Sequence, residues 1–284
     1  MKVFIEGVGV IGPGLAGWPA SRAILTGAAP YLPAAPVIPP GDLLPSAERR
    51  RTGLPVKLAL AIGCEAIAQS RRNASELSTV FASSAGDGDN MHCIFDMLSK
   101  NGREVSPTRF HNSVHNAPSG YWSIATKSMA SSTSLACFDA SFVAGLIEAA
   151  TQARASGNAV VLIAYDAPYP QPLHAARPIS ATFGVALVLT GNQSNRCLAE
   201  LELGISRNGN AATPIANAEL EAIRAGTPAA RSLPLLAALA AHASGKITPG
   251  KITQGKITPD KITQAKICFD YIAGNQLDVA VRPC

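Results

Sequence analysis

Apolar positions along this chain fall into short runs and helical stripes that alternate over most of its length. Val3-Phe4-Ile5 opens a buried strand that leaves through Gly7, Gly9, Gly12 and Gly14. Leu58, Ala61, Ile62 and Ile67 recur at helical spacing and predict a helix over 54–69, with basic residues on both flanks. Residues 77–82 read as a short buried strand ending in a turn of small residues, 83–88. A helix over 90–99, a histidine-bearing stretch over 110–116 and a helix over 118–127 follow. Residues 131–137 form a strand, 140–155 an alanine-rich helix, and 158–165 and 183–189 two fully buried strands. Strands alternating with helices predict a layered α/β fold, with helices around a mixed, mainly parallel sheet.

Two segments break this pattern. Proline at 30, 33, 36, 39, 40 and 45 predicts an extended surface loop. Lys-Ile-Thr recurs at 246, 251, 256 and 261, a five-residue period that matches neither a helix nor a common solenoid. The tract 246–267 therefore reads as an expanded surface loop within a single domain spanning 1–284. Beyond it, 267–272 and 276–281, separated by Ala273-Gly274-Asn275, predict a closing β-hairpin.

Composition narrows the function. With 47% hydrophobic and 15% charged residues the chain has ample core and a charge-poor surface, which excludes a disordered protein. The net charge of +5 suggests nucleic acid until it is mapped: five lysines and one aspartate in the tract 246–267 carry +4 of it. A nucleic-acid binder builds its basic face into the fold, so that class is set aside. Cys64, Cys93, Cys137, Cys197, Cys268 and Cys284 form no Cys-x-x-Cys pair, so neither a zinc site nor a disulfide framework is expected. The opening residues carry an acid, Glu6, and no apolar run of signal-peptide length, and no segment is long enough to span a bilayer. A cytoplasmic, reduced protein without metal or cofactor is the expectation.

Three places hold candidate chemistry. Gly7-x-Gly9-x-x-Gly12 has dinucleotide spacing, but Pro13-Gly14 follows where a phosphate-binding helix would open, so the motif reads as a turn. Residues 132–150 form a strand–turn–helix elbow at Cys137-Phe138-Asp139, a geometry that suits a nucleophile beside a helix N-terminus. Cys137 is the candidate nucleophile there, against the plainer reading that it ends a buried strand and packs. His111-Asn-Ser-Val-His115-Asn116 places two histidines at i and i+4, able to share a helix face as base or ligand. Only two nitrogen ligands are visible, so no metal site is assigned. Ser113 is a second candidate nucleophile, oriented through a histidine by Asp139 or Asp166; the alternative is a hydrogen-bonded wall.

The chain resembles the β-ketoacyl synthases. Val3 to Gly14 looks like their opening strand and turn, and Asn116-Ala-Pro-Ser-Gly-Tyr-Trp-Ser-Ile like their Asn-x-x-x-Gly-x-x-Ser-Ile helix. Ser141-Phe-Val-Ala resembles their post-nucleophile helix and Phe183-Gly-Val-Ala-Leu-Val-Leu a later strand. More narrowly, Phe110-His-Asn-Ser-Val-His-Asn, Ala164-Tyr-Asp-Ala-Pro and Asp270-Tyr are similar to features of short chain-length-factor-like proteins of aryl polyene and fatty-acid-type gene clusters. The resemblance implies one half of the thiolase-type (ketosynthase) fold, closed by the final hairpin. Aligned without a gap, it puts Phe138 at the nucleophile position and Cys137 one residue early, which by strand alternation turns the sulfur into the interior. Nothing after Leu189 resembles the synthases' catalytic histidines and lysine; the single later histidine is His242.

The resemblance thus implies a non-condensing accessory protein of polyene, fatty-acid or polyketide-type biosynthesis, acting with a β-ketoacyl synthase and an acyl carrier protein. The alternative is a stand-alone acyltransferase or thioesterase-like enzyme using Cys137 or Ser113 with His111 or His115. Synthases pair across the strand before the nucleophile, so 131–137, with Thr133, is expected at a homo- or heterodimer face. The helix 118–126 is expected beside it, presenting Tyr121 and Trp122.

Overall fold

The computed structural model describes residues 1–100, 102, 104–243 and 264–284. The chain runs β1 (Lys2–Gly12), β2 (Leu15–Ala16), α1 (Trp18–Leu25), α2 (Ser46–Arg51), α3 (Leu54–Ser70), β3 (Ser78–Ala82), α4 (Gly88–Ser99), α5 (Pro107–His111) and α6 (Ala117–Thr126). It continues through β4 (Ser132–Leu135), α7 (Ser141–Ser156), β5 (Val160–Asp166), α8 (Leu173–Ala176), β6 (Phe183–Thr190) and β7 (Ala199–Ser206). The last elements are α9 (Ala218–Gly226), α10 (Leu233–Ala243), β8 (Ala265–Asp270) and β9 (Gln276–Arg282).

All described strands join one mixed sheet in the order β4-β3-β5-β6-β1-β7-β9-β8, with β2 folded back on β1. The layered α/β architecture and the closing hairpin of β8 and β9 are as the sequence predicts. The balance of directions is not. Only β3 with β4 and β3 with β5 pair in parallel, and the remaining ladders are antiparallel. Parallel neighbours need a crossover, which α4–α6 and α7 supply; β5 reaches β6 with only the one-turn α8 between them. The repeat lies outside the described residues as far as 263, and Ala265–Ile267, its expected end, already belong to β8.

Alternation across the strands divides the core. Val80, Val160, Leu162, Val185 and Leu187 face α7 and α10, while Phe81, Val161, Ile163 and Val188 face α3 and α6. In β1 a bulge between Ile5 and Gly7 shifts the phase. Val3 and Ile5 before it, and Val8 and Val10 after it, all join the α7 side, which leaves Gly7 and Gly9 facing α3. A Cβ on Gly7 would stand 2.0 Å from the Ala66 carbonyl oxygen, and one on Gly9 2.1 Å from that of Ile62. The glycine motif therefore admits a helix backbone, not a phosphate. Helix α3 also completes the strand, since Gln69 and Glu65 accept the N–H groups of Val8 and Val10 at 2.6 and 2.9 Å.

The sheet curls. Although β8 lies at the far end from β4, the ring of Phe269 on β8 meets Phe142 of α7 edge-on at 5.8 Å. Helix α7 is thereby enclosed, with Phe142, Val143, Leu146, Ala149 and Ala150 all buried. A disulfide joins Cys197 to Cys284, with 5.9 Å between the Cα atoms, which corrects the expectation of unpaired cysteines. The β7–β9 ladder, in which Glu200 opposes Arg282, brings these two distant positions together.

Candidate functional site

The C-terminal ends of the parallel strands β3, β4 and β5 converge with the elbow that starts α7. Asp166 ends β5, is fully buried, and gathers its neighbours: Ser83 and Ser84 from the end of β3, and the backbone N–H of Ala229 before α10. These donors lie 2.8–3.3 Å from its oxygens. Burial pushes its pKa up to about 6, although the same hydrogen bonds pull the other way.

The elbow follows β4. Strand pairing stops at Leu135, and Cys137 opens a 3₁₀ turn, Phe138–Ala140, that feeds α7. Ser141 pins the turn: its hydroxyl donates to the Phe138 carbonyl at 2.7 Å and accepts the Cys137 N–H at 2.9 Å. Phe138 takes a left-handed backbone, φ 49, and projects its ring outward, 64% exposed. A non-glycine residue in that region carries strain of about 1–3 kcal/mol, which the surroundings must overcome. Arg177 stacks on the ring, its guanidinium 3.6 Å from the centroid, and donates to Asp139 at 2.6 Å. Arg231 reaches the other Asp139 oxygen at 3.2 Å.

The remaining candidates are engaged elsewhere. His111 is the exposed last residue of α5, and His115 lies beyond the helix end, so the pair shares no helix face. His115 Nε2 sits 3.0 Å from the Ser83 carbonyl oxygen, and the Ser113 hydroxyl donates to the Phe110 carbonyl at 2.8 Å. Asp139 serves two arginines and Asp166 the serines, so no hydrogen bond links Ser113, a histidine and a carboxylate among the described residues. Nor do those residues contain a group of three metal-ligating side chains. Cys137 is half-exposed, not buried: β4 ends two residues earlier, so strand alternation no longer governs its direction.

The surface position expected of Tyr121 and Trp122 is corrected. Tyr121 and Trp122 are core residues, 3% and 1% exposed; Tyr121 donates to Asn112 at 2.9 Å and Trp122 packs edge-on to Phe81. The Thr133 side chain turns inward to Gln152 of α7, at 3.0 Å. What β4 does expose is backbone. Among the described residues it pairs only with β3, and the carbonyls of Ser131 and Leu135 accept from Thr79 and Ser83. The alternate residues, Ser132 and Ser134, therefore turn their N–H and C=O groups to the open edge. Met129, 96% exposed, stands before this edge and Phe138 after it. Arg177 and Arg231, which hold the elbow, carry no motif that reveals their part in it.

Residues 25–251 match the family model described as beta-ketoacyl synthase, N-terminal domain. No curated protein matches the sequence. Among solved structures, the chain is similar to a ketosynthase (ApeO) in complex with its chain length factor (ApeC) from Xenorhabdus doucetiae, at 19% identity, TM-score 0.68 and 99% coverage of both chains. It is similar to AntDE:AntF, a type II PKS acyl-carrier protein in complex with its ketosynthase, at 13% identity and TM-score 0.73, covering 100% of this chain and 99% of that one. The ishigamide ketosynthase/chain length factor gives 15% identity and TM-score 0.69, with the same coverage. These identities speak for the fold, which is the thiolase-type ketosynthase fold.

Proposed function

Because this chain belongs to the β-ketoacyl synthase N-terminal domain family, we propose that it is a non-condensing, chain-length-factor-like subunit. It pairs with a separate ketosynthase and shapes the channel in which that enzyme extends an acyl chain. Phe138 carries this reading. At the turn where a condensing enzyme needs a thiol stands an aromatic ring, held outward by a strained backbone and a stacked arginine. A phenyl ring cannot attack a thioester, but it can dock on or line an apolar channel. The open β4 edge between Met129 and Phe138 is the surface offered to the partner. Solved assemblies of ketosynthases with chain length factors or a carrier protein support the same reading by fold. The substrate class is an acyl chain carried as a thioester on an acyl carrier protein, in polyene, fatty-acid or polyketide-type synthesis in the cytoplasm.

Two measurements test this. The isolated protein, incubated with an acyl thioester, gains no covalent mass; co-expressed with its cognate ketosynthase, it elutes as a 1:1 complex. A stable adduct on Cys137 or Ser113 moves the acyltransferase or hydrolase alternative ahead. A protein that stays monomeric with its ketosynthase overturns the accessory reading.

A further inference from the structure

Away from the elbow, an accessible pair of sulfurs stands among the described residues. Cys197 is half-exposed and Cys284 exposed, and a disulfide links them across 87 residues of chain. By contrast, burial pushes the free thiols of Cys64 and Cys268 up to about 11. The loop the disulfide closes contains α9, α10 and the hairpin of β8 and β9, as well as the Lys-Ile-Thr tract in the sequence. Its two ends flank a seam. The turn 191–198 leads from β6 into β7 and covers the buried carboxylate of Glu6. In that turn the Ser194 hydroxyl donates to Glu6 at 2.5 Å, Leu198 N–H donates to the Ile5 carbonyl at 2.7 Å, and Gly191 accepts from Arg154 at 2.7 Å. Arg72 reaches Glu6 from beyond α3.

We propose that the Cys197–Cys284 disulfide is a redox-sensitive clasp that fastens the end of β9 to the 191–198 turn and keeps that turn seated over Glu6. It opens by thiol–disulfide exchange. A thiolate of an external dithiol attacks the exposed Cys284 sulfur, forming a mixed disulfide and expelling the Cys197 thiolate. The second thiol of the dithiol then attacks the mixed disulfide and releases Cys284. The dithiol gives up two electrons and two protons, and the chain gains two thiols. A small-molecule disulfide closes the clasp by the reverse steps. The β7–β9 ladder remains in both states, so opening loosens the seam and leaves the fold in place.

The full chain, purified without reductant, tests the clasp. Thiol titration of the denatured protein gives four thiols per chain, and peptide mapping recovers Cys197 joined to Cys284. Dithiothreitol lowers Tm by about 10 °C, the scale expected when a cross-link closing a long loop is lost. Hydrogen exchange then accelerates in 191–200 and 276–284 and not in β3 or β5. The Cys284→Ser variant melts where the reduced protein does and no longer responds to dithiothreitol. Six thiols per chain, a Cys284 disulfide between two chains, or a Tm and exchange pattern indifferent to reduction overturns the proposal. Pairing with a ketosynthase is unaffected by any of these results, because the clasp lies at the β7–β9 end of the sheet and the β4 edge at the other.

Discussion

At the scale of single residues, Phe138 shows a cost accepted for something other than stability. Its left-handed backbone suits glycine, whereas its ring contributes only an exposed stack with Arg177, worth about 0.5–1 kcal/mol. Phe138→Gly should therefore leave unfolding free energy within about 1 kcal/mol of the parent, read from urea titration. The same variant should weaken the complex with the ketosynthase at least tenfold by calorimetry; unchanged affinity would remove Phe138 from the interface. The cysteines give a second prediction. In native protein at pH 8, iodoacetamide should label Cys93 and Cys137 well before buried Cys268 and before Cys64, which is half-exposed as they are but whose thiol is pushed up to about 11 by desolvation. Mass spectrometry of timed digests reads the order, and early labelling of Cys64 would contradict it.

At the scale of elements, one close approach and one open edge define the architecture. Helix α3 lies so near β1 that Gly9→Ala places a methyl carbon 2.1 Å from a helix carbonyl oxygen. Neither backbone can yield without breaking its own hydrogen bonds, so a loss of about 2–4 kcal/mol is expected in urea unfolding; a loss below 0.5 kcal/mol would show that the contact is slack. Strand β4 presents the opposite problem, an edge with no strand beside it among the described residues. Ser134 turns its N–H outward, so Ser134→Pro removes no ladder bond and should cost under about 1 kcal/mol. It should nevertheless cut association with the ketosynthase at least tenfold, because it deletes a donor from the pairing edge. Full affinity in a folded Ser134→Pro protein would mean that the partner binds elsewhere.

At the scale of the whole molecule, Asp166 ties the end of β3, the end of β5 and the turn before α10 into one junction. Its pKa stands at about 6 in the folded chain against an ordinary 3.8. Because the folded value is raised, its contribution is fully present below about pH 3.8 and is lost as pH rises through 6, a swing of roughly 3 kcal/mol. Asp166→Asn should flatten the decline in stability between about pH 4 and 6, measured by urea unfolding at each pH. An unchanged slope would place the titration on another group.

The main strands and helices from Val3 to Leu189, though not β2 or the helices α1, α2, α5 and α8, and the closing hairpin were legible in the sequence. Both rest on local periodicity, and each strand or helix must bury one face wherever it lies. The elbow was legible for the same reason, as a strand, a tight turn and a helix in succession. Strand β7 was overlooked although Ala199, Leu201 and Leu203 alternate with polar or small residues, a signal of period two. Other features depended on partners far away in the chain. Tyr121 and Trp122 look like interface residues until α3 and β3 close over them. Arg177 and Arg231 acquire their part only when the segments after α8 and before α10 meet the elbow at Asp139. Cys197 and Cys284 pair because a ladder between β7 and β9 sets their register. Local pattern thus determined the elements and their order. Which faces remained open, which charges met and which thiols joined were decided by packing, because those energies arise only between residues that the fold has brought into contact.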